Sequence, residues 1–192
     1  MILEVVKYGH PALRKKGAKI EAFNADLKRL VGDMFETMYA AKGVGLAAQQ
    51  VSHAVQLTVI DVRAATDRPS TIEVDGEPAD VLDHMPLVLI NPEIKPVGEP
   101  AVGPEGCLSF PEIFADITRP EFVEVKALNE KGKPISFRAG GLLSRAVQHE
   151  FDHLHGLLFI DRMDRQTKAE LRPELEALQA ETKAQLAAAK KK

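Results

Sequence analysis

The chain of 192 residues contains one cysteine, no tryptophan and only two tyrosines. A single cysteine excludes an intrachain disulfide, so a reducing compartment such as the cytoplasm is expected. No apolar run approaches the roughly 20 residues needed to span a bilayer, which argues against a membrane protein. The first residues also lack a basic region followed by a long apolar stretch, and we therefore expect no signal peptide.

An excess of charge of one sign is missing as well. The sequence has 25 Lys and Arg against 28 Asp and Glu, a net charge of -3 and a pI of about 6.1, so no general affinity for nucleic acid is implied. A hydrophobic content of 45% and a charged content of 28% are typical of a globular protein. The length suits one domain, and no domain boundary is evident within residues 1–192.

Residues 148–153, Gln-His-Glu-Phe-Asp-His, contain a His-Glu-x-x-His pattern. Residues four apart on a helix lie on one face, so His149 and His153 can present two imidazole nitrogens to one ion. Glu150 lies on nearly the same face, where it can move a proton rather than bind the metal. This arrangement is typical of zinc-type hydrolases, and a chance match on a solvated helix is the alternative.

The surrounding segment has the periodicity of a helix. Leu142, Ala146 and Leu154 recur at helical spacing with the two histidines, and Gly156 stands where a C-terminal cap is expected.

Two imidazoles need at least one further ligand to hold a catalytic ion, and Cys107 is the best candidate. It follows Gly106, which allows the backbone to turn the thiol into a site, and it would leave a fourth position for water. Carboxylates elsewhere and three other histidines are weaker candidates. His53 and His84 fall in predicted loops or strand edges, and His155 faces elsewhere on the helix.

A second motif is the segment Gly-Val-Gly-Leu-Ala-Ala-Gln-Gln at residues 43–50. Gly43 and Gly45 permit unusual backbone angles and close approach of another chain. The alternative is a helix C-cap followed by a tight turn. The segment lacks a third glycine and a preceding strand, so it is not a dinucleotide-binding fingerprint.

Helices are predicted at both ends of the chain. Asn24–Lys42 has an apolar stripe at helical spacing, and Asn24 is suited to cap it. Residues 165–192 favour a C-terminal helix in which Thr167 begins a capping-box pattern and Pro173 marks a break.

Strands are predicted for several apolar segments. Residues 1–20 favour a short strand followed by an irregular Gly-His-Pro turn, and residues 63–84 favour a loop with at most a small hairpin. Residues 121–138 alternate around a Glu-Lys-Gly turn and predict an antiparallel hairpin. Separate strands are expected at residues 55–62, 86–92 and 93–103.

The sequence closely resembles the peptide deformylases. The motifs of that family, Gly-x-Gly-x-Ala-Ala-x-Gln, Glu-Gly-Cys-Leu-Ser and Gln-His-Glu-x-x-His, are complete and in order at residues 43–50, 105–109 and 148–153. The resemblance includes the Gly-His-Pro-x-Leu-Arg segment at residues 9–14 and the C-terminal helix, and so covers nearly the whole chain.

The resemblance implies hydrolysis of the N-formyl-methionyl end of nascent polypeptides to formate and a free amino terminus. Cys107, His149 and His153 would bind one divalent metal ion per chain, usually Fe²⁺, with zinc, nickel or cobalt able to substitute. Glu150 would act as the general base and acid at a metal-bound water. The Gln50 side chain and the Leu108 backbone N–H would stabilise the negative charge on the formyl oxygen.

The remaining residues implied by the resemblance would contact the substrate. Val44, Gly45 and Gly106 would hold the peptide backbone in an extended pose. The methionine pocket would be lined by Val44, Leu142, Ala146 and the His149 ring. With the predicted elements, the resemblance indicates a single α+β domain. Antiparallel strands would surround the central metal-binding helix, flanked by N- and C-terminal helices.

Two rival functions share parts of this pattern. A zinc endopeptidase also uses His-Glu-x-x-His, but its third ligand usually lies downstream. The cysteine motif (residues 105–109) and the Gly/Gln motif (residues 43–50) argue against this function. A non-catalytic protein with a structural metal has no use for Glu150 or Gln50. The C-terminal helix could contact the ribosome, and packing of a solvated amphipathic helix on the body is the alternative.

Overall fold

The computed structural model describes residues 1–190. Its helices are α1 (Ala25–Ala40), α2 (Gly141–Leu154), α3 (Arg165–Glu170) and α4 (Arg172–Ala189). The last two positions of the predicted C-terminal helix, Lys191 and Lys192, lie outside the described residues. None of these helices has the length and apolar character needed to cross a membrane.

The helix ends show how the local sequence determines their limits. Asn24 caps α1 as predicted, because its side-chain oxygen accepts a hydrogen bond of 3.0 Å from the Leu27 N–H. Helix α2 ends in a Schellman motif in which Gly156 has a φ of 73° and the Leu157 N–H bonds to the Asp152 carbonyl at 2.9 Å. The expected cap glycine is thus confirmed.

The C-terminal segment is helical, but the predicted cap is wrong. Asp164, not Thr167, is the N-cap of α3, and its carboxylate accepts hydrogen bonds from the Thr167 N–H and hydroxyl at 2.8 and 2.9 Å. A carboxylate one turn earlier satisfies the first free N–H groups, so the helix starts there. The predicted break at Pro173 is confirmed, because α4 restarts at Arg172.

Within residues 1–190, seven strands form one antiparallel sheet in the order β1-β2-β5-β6-β7-β3-β4. They are β1 (Gly45–Ala47), β2 (Leu57–Ile60), β3 (Ser70–Val74), β4 (Glu77–Ala79), β5 (Leu87–Cys107), β6 (Phe110–Leu128) and β7 (Pro134–Gly140). The predicted hairpin at 121–138 is confirmed by the pairing of β6 with β7, and the segment at 63–84 contains the β3–β4 hairpin.

The separate strands predicted at 86–92 and 93–103 are wrong, because both belong to the single strand β5. Register shifts after Ile90, Val97 and Gly106 let this strand pass its prolines and glycines without ending. Beyond Ile90, the described pairing of β5 is with β6 alone, and β1 pairs only with β2. Strand β5 therefore has a free edge near Cys107, and β1 has a free edge near Gly45.

The strand predicted within residues 1–20 is also wrong. The segment contains a short 3-10 helix at Pro11–Arg14, and its described β pairing is limited to an isolated bridge from Ala18 to Val55. Its extended backbone instead bonds to two motifs: the Val6 N–H donates to the Gln50 carbonyl and the Tyr8 N–H to the Ser109 carbonyl, each at 2.9 Å. The N-terminal segment thereby joins the Gly/Gln motif to the cysteine motif.

Helix α2 packs against the sheet and carries the His-Glu-x-x-His residues into its interior. Leu143 and Val147 are almost completely buried in a core that they share with Ile60, Val123 and Ala139 from the strands. Since α2 is covered by strands on its apolar side, the architecture is the predicted α+β domain built around this helix.

Candidate active site

Cys107, His149 and His153 meet at one point in the interior. The cysteine sulfur and one ring nitrogen of each histidine all lie within 4.8 Å of one another, and the sulfur is 3.4 Å from Nε2 of His153. The two histidines project from successive turns of α2, and the cysteine ends β5. The structure thus brings together the three side chains proposed from the sequence as metal ligands.

His149 is oriented by a carboxylate behind it. Its Nδ1 lies 2.9 Å from Oε1 of Glu105, which leaves Nε2 to face the sulfur and the neighbouring imidazole. Carboxylates in this position fix the tautomer and the ring angle of metal-ligating histidines. Glu105 is part of the cysteine motif, but sequence reasoning assigned it no role, because nothing in the sequence connects it with a residue 44 positions away.

Glu105 in turn belongs to a buried ion-pair network. Arg119 on β6 donates to it with two hydrogen bonds of 2.6 and 2.9 Å and also contacts Asp152 at 3.0 Å. Burial opposes ionisation of Glu105, but the hydrogen bonds from His149 and Arg119 outweigh it and lower its pKa to about 2. Arg145 adds a further contact of 3.0 Å to Glu105. Sequence reasoning missed Arg119, whose only signal is an arginine at an inward position of an alternating strand.

The protonation of the two histidines differs in the protein alone. Burial and the nearby charge of His149 lower the pKa of His153 well below its usual value, so this ring is neutral. Burial also disfavours charge on His149, but hydrogen bonds to Cys107 and Glu105 raise its pKa well above the usual value. A cation held by these nitrogens would replace the proton on His149, because a ligating imidazole must offer a lone pair.

Glu150 lies beside the cluster formed by Cys107, His149 and His153, and it is almost completely buried. It is 4% exposed, its Oε2 has no hydrogen-bond partner, and burial raises its pKa to about 7. A carboxyl group with a pKa near neutrality can both accept and donate a proton at working pH. Its position therefore suits proton transfer rather than a structural ion pair.

The residues present fit a divalent transition metal. A thiolate and two imidazoles are ligands that zinc, iron, nickel and cobalt accept. The buried Oε2 of Glu150 has no hydrogen-bond partner in the described chain, and a water beside such an ion would satisfy it.

Gln50 connects the Gly/Gln motif to the cysteine motif. Its Oε1 accepts a hydrogen bond from the Ala47 N–H at 2.9 Å, which fixes the orientation of the amide. Its Nε2 then donates to the Ser109 hydroxyl at 3.2 Å and lies 3.5 Å from the Cys107 sulfur. The Leu108 carbonyl accepts a hydrogen bond of 2.7 Å from Lys7, which holds the turn that contains Leu108.

A cleft of about 600 Å³ opens over Glu150 and the cluster. Its lining includes every proposed site residue except His153, which is buried behind the others: Val44, Gly45, Gln50, Gly106, Cys107, Leu108, Leu142, Ala146, His149 and Glu150. The structure therefore gathers residues from all three motifs on one surface.

Gly45 is a glycine because the Glu150 carboxylate lies against it. A Cβ at this position would be 2.4 Å from Oε1 of Glu150. The close approach explains the second glycine of the Gly-x-Gly motif better than the helix-cap alternative does.

We expect Gly45→Ala to reduce turnover by about 10- to 100-fold, since displacing a general base forfeits part of its 10²–10⁴-fold contribution. The metal content should stay at the wild-type level, because the three atoms nearest to this methyl group all belong to Glu150 and not to a candidate ligand. The measurement is kcat alongside metal analysis, with Gly32→Ala as the matched control, since a Cβ there meets nothing within 4 Å. Wild-type turnover of Gly45→Ala would show that Glu150 moves aside without loss.

Taken together, the helix-borne His-Glu-x-x-His residues, the strand-borne thiol and the cleft define the class of metal-dependent hydrolases. Residues 2–169 match the family model described as polypeptide deformylase. The chain belongs to this family.

Individual relatives agree over nearly the whole chain. The peptide deformylase of Methylacidiphilum infernorum is 50% identical over 178 residues, which cover 93% of each chain. Among solved structures, peptide deformylase from Plasmodium falciparum has a TM-score of 0.81 at 34% identity and covers 94% of this chain and 97% of its own. A single-residue mutant of Arabidopsis thaliana peptide deformylase 1B has a TM-score of 0.82 at 38% identity, with 95% of this chain and 92% of its own covered.

The resemblance deduced from the motifs is thus confirmed, and so is the activity that it implied. The protein is an enzyme that hydrolyses the N-formyl-methionine amide bond and removes the formyl group from nascent polypeptides. The endopeptidase alternative is not favoured.

Proposed function

We propose that Cys107, His149 and His153 hold the catalytic ion of this deformylase and that the native ion is Fe²⁺. The convergence of a thiol and two imidazoles beside a buried carboxyl group is the observation that carries the proposal. The ligand set suits several transition metals, so the choice of iron over zinc, nickel or cobalt rests on the family resemblance. The single free cysteine agrees with a reducing cytoplasm as the working compartment.

Cys107, His149 and His153 would hold a divalent ion, which would supply Lewis-acid chemistry by lowering the pKa of a nearby water toward neutrality. The protein supplies the proton transfers. Glu150 takes a proton from the attacking water and delivers it to the leaving amine, which its position and its pKa of about 7 both support.

We expect two donors to stabilise charge on the formyl oxygen. The Gln50 amide is fixed by the Ala47 N–H, so that its Nε2 faces the cluster without having to reorganise during the reaction. The backbone N–H of Leu108 is the second proposed donor, in a turn held by Lys7. Fixed donors of this kind are each worth about 3 kcal/mol in the transition state.

The free strand edges are suited to hold the substrate backbone. Gly45 lies in β1 and Gly106 near the end of β5, and both line the cleft. An extended peptide between them can form strand-like hydrogen bonds, and Val44, which also lines the cleft, would help to hold it and contribute to the methionine pocket. The methionine side chain would then enter the pocket formed by Leu142, Ala146 and the His149 ring.

The partner in this reaction is the N-formyl-methionyl end of a nascent polypeptide. A contact with the ribosome through the C-terminal segment stays a prediction. Of the side chains of α4, only Leu175 and Thr182 are buried, which leaves most of its surface available for such a contact.

The test is to purify the protein anaerobically, determine its metal content and incubate it with a formyl-methionyl tripeptide and its acetyl-methionyl analogue. We expect about one iron per chain, one formate for each new amino terminus and no reaction with the acetyl peptide. A chelator should abolish formate release, and added Fe²⁺ should restore it. Cleavage at internal peptide bonds would instead identify an endopeptidase.

A further inference from the structure

Phe114 is an exposed aromatic ring at the rim of the active-site cleft. It is 68% exposed and lines the same cleft as Cys107 and Glu150. In the β5–β6 ladder it is paired with Gly106, where an added Cβ would lie 2.7 Å from two atoms of the ring. The missing side chain at position 106 therefore lets the ring approach the strand backbone beside the cluster. An exposed phenylalanine next to a reaction site needs a reason that a scattered surface residue does not.

Side chains at the end of β5 alternate between the two faces of the sheet. Glu105 and Cys107 point toward α2, where they meet His149 and His153. Gly106, between them, faces the opposite side, and Phe114 lies there. The ring and the candidate ligands thus lie on opposite faces of the same strand end.

An extended substrate on the free edge of β5 alternates in the same way, and this step rests on the proposed function. Its methionine side chain enters the pocket of Leu142 and Ala146 on the α2 face. The side chain of the second residue must then point to the other face, where Phe114 lies. We infer that Phe114 is a specificity-determining residue that contacts the side chain following formyl-methionine and favours apolar, above all aromatic, residues there.

The expected preference is moderate, because the ring is exposed and packs on one side only. Contacts between aromatic rings are worth enough beyond their buried area to change a rate constant by about two- to tenfold. The comparison peptide should be neutral and polar, so that the charged residues of the cleft rim, such as Lys42, Arg68 and Glu112, do not affect the result.

The experiment compares kcat/KM for formyl-Met-Phe-Ala-amide and formyl-Met-Ser-Ala-amide with the iron-loaded enzyme. We expect a ratio of about five in the wild type. In Phe114→Ala the ratio should fall to about one, through loss on the phenylalanine peptide. Phe114→Leu, which retains an apolar side chain, should give an intermediate ratio.

Val102→Ala is the matched control. Val102 is also 68% exposed and lies on the same strand as Gly106, but it does not line the cleft, so its removal should leave the wild-type ratio. A ratio that is the same in Phe114→Ala and the wild type, or equal losses on both peptides, would overturn the inference. Formate from neither peptide with the wild-type enzyme would instead refute the proposed function and, with it, the basis of the inference.

Discussion

Glu150→Gln should reduce formate release by about 10³-fold while the metal stays bound, because the amide keeps the size of the side chain but cannot accept and return a proton. Glu150 is buried, and its Oε2 has no hydrogen-bond partner within the described chain. The substitution therefore breaks no hydrogen bond of that oxygen. The measurements are single-turnover formate release, metal content and the urea midpoint.

The control for this variant is Glu176→Gln, which makes the same change on the exposed surface of α4 and should leave all three measurements at wild-type values. If Glu150→Gln lost metal and stability together with activity, Glu150 would have a structural role. If it kept more than a tenth of the activity, another group would be transferring the proton.

Arg119→Met should lower the free energy of unfolding by about 3–5 kcal/mol, because it leaves buried carboxylates without their cation. The side chains of Arg119, Glu105 and Asp152 are only 4–5% exposed, so water cannot solvate the two carboxylates once the arginine is gone. The low pKa of Glu105 depends in part on the same arginine. The loss is measured by urea unfolding with chelator present, so that metal binding does not contribute.

Arg29→Met is the matched control, since Arg29 pairs with Asp26 on the surface of α1 and both side chains are more than half exposed. Exposed pairs contribute little, and this variant should change stability by no more than about 0.5 kcal/mol. A change below about 1 kcal/mol in Arg119→Met would mean that Arg145 and Arg162 compensate both carboxylates. In that case the network would be redundant.

The motif residues were predictable because their chemistry depends on short spacings. Two histidines four apart on a helix share a face in any fold, and the caps at Asn24 and Gly156 act within one turn. The cysteine could be proposed as the third ligand because it is the only one in the chain. Its contact with His153, 46 positions away, required the structure.

The errors in the sequence-based description have physical causes. Residues 87–107 look broken by proline and glycine, yet pairing with β6 keeps them in one strand through three register shifts. The first residues look like a strand, but their backbone bonds go to Gln50 and Ser109 instead of a ladder. The cap at Asp164 was missed because two capping patterns overlap and a carboxylate one turn earlier takes precedence.

The sequence by itself determined the class of chemistry, the helix that presents the histidines and the family, since all of these depend on residue types at short, regular intervals. The tertiary structure alone decided which residues support that chemistry: the Glu105–Arg119–Asp152 network, the contact of Gly45 with Glu150 and the position of Phe114 over Gly106. These contacts join segments from different strands and helices, and their geometry follows from sheet register and helix packing, which no local pattern encodes.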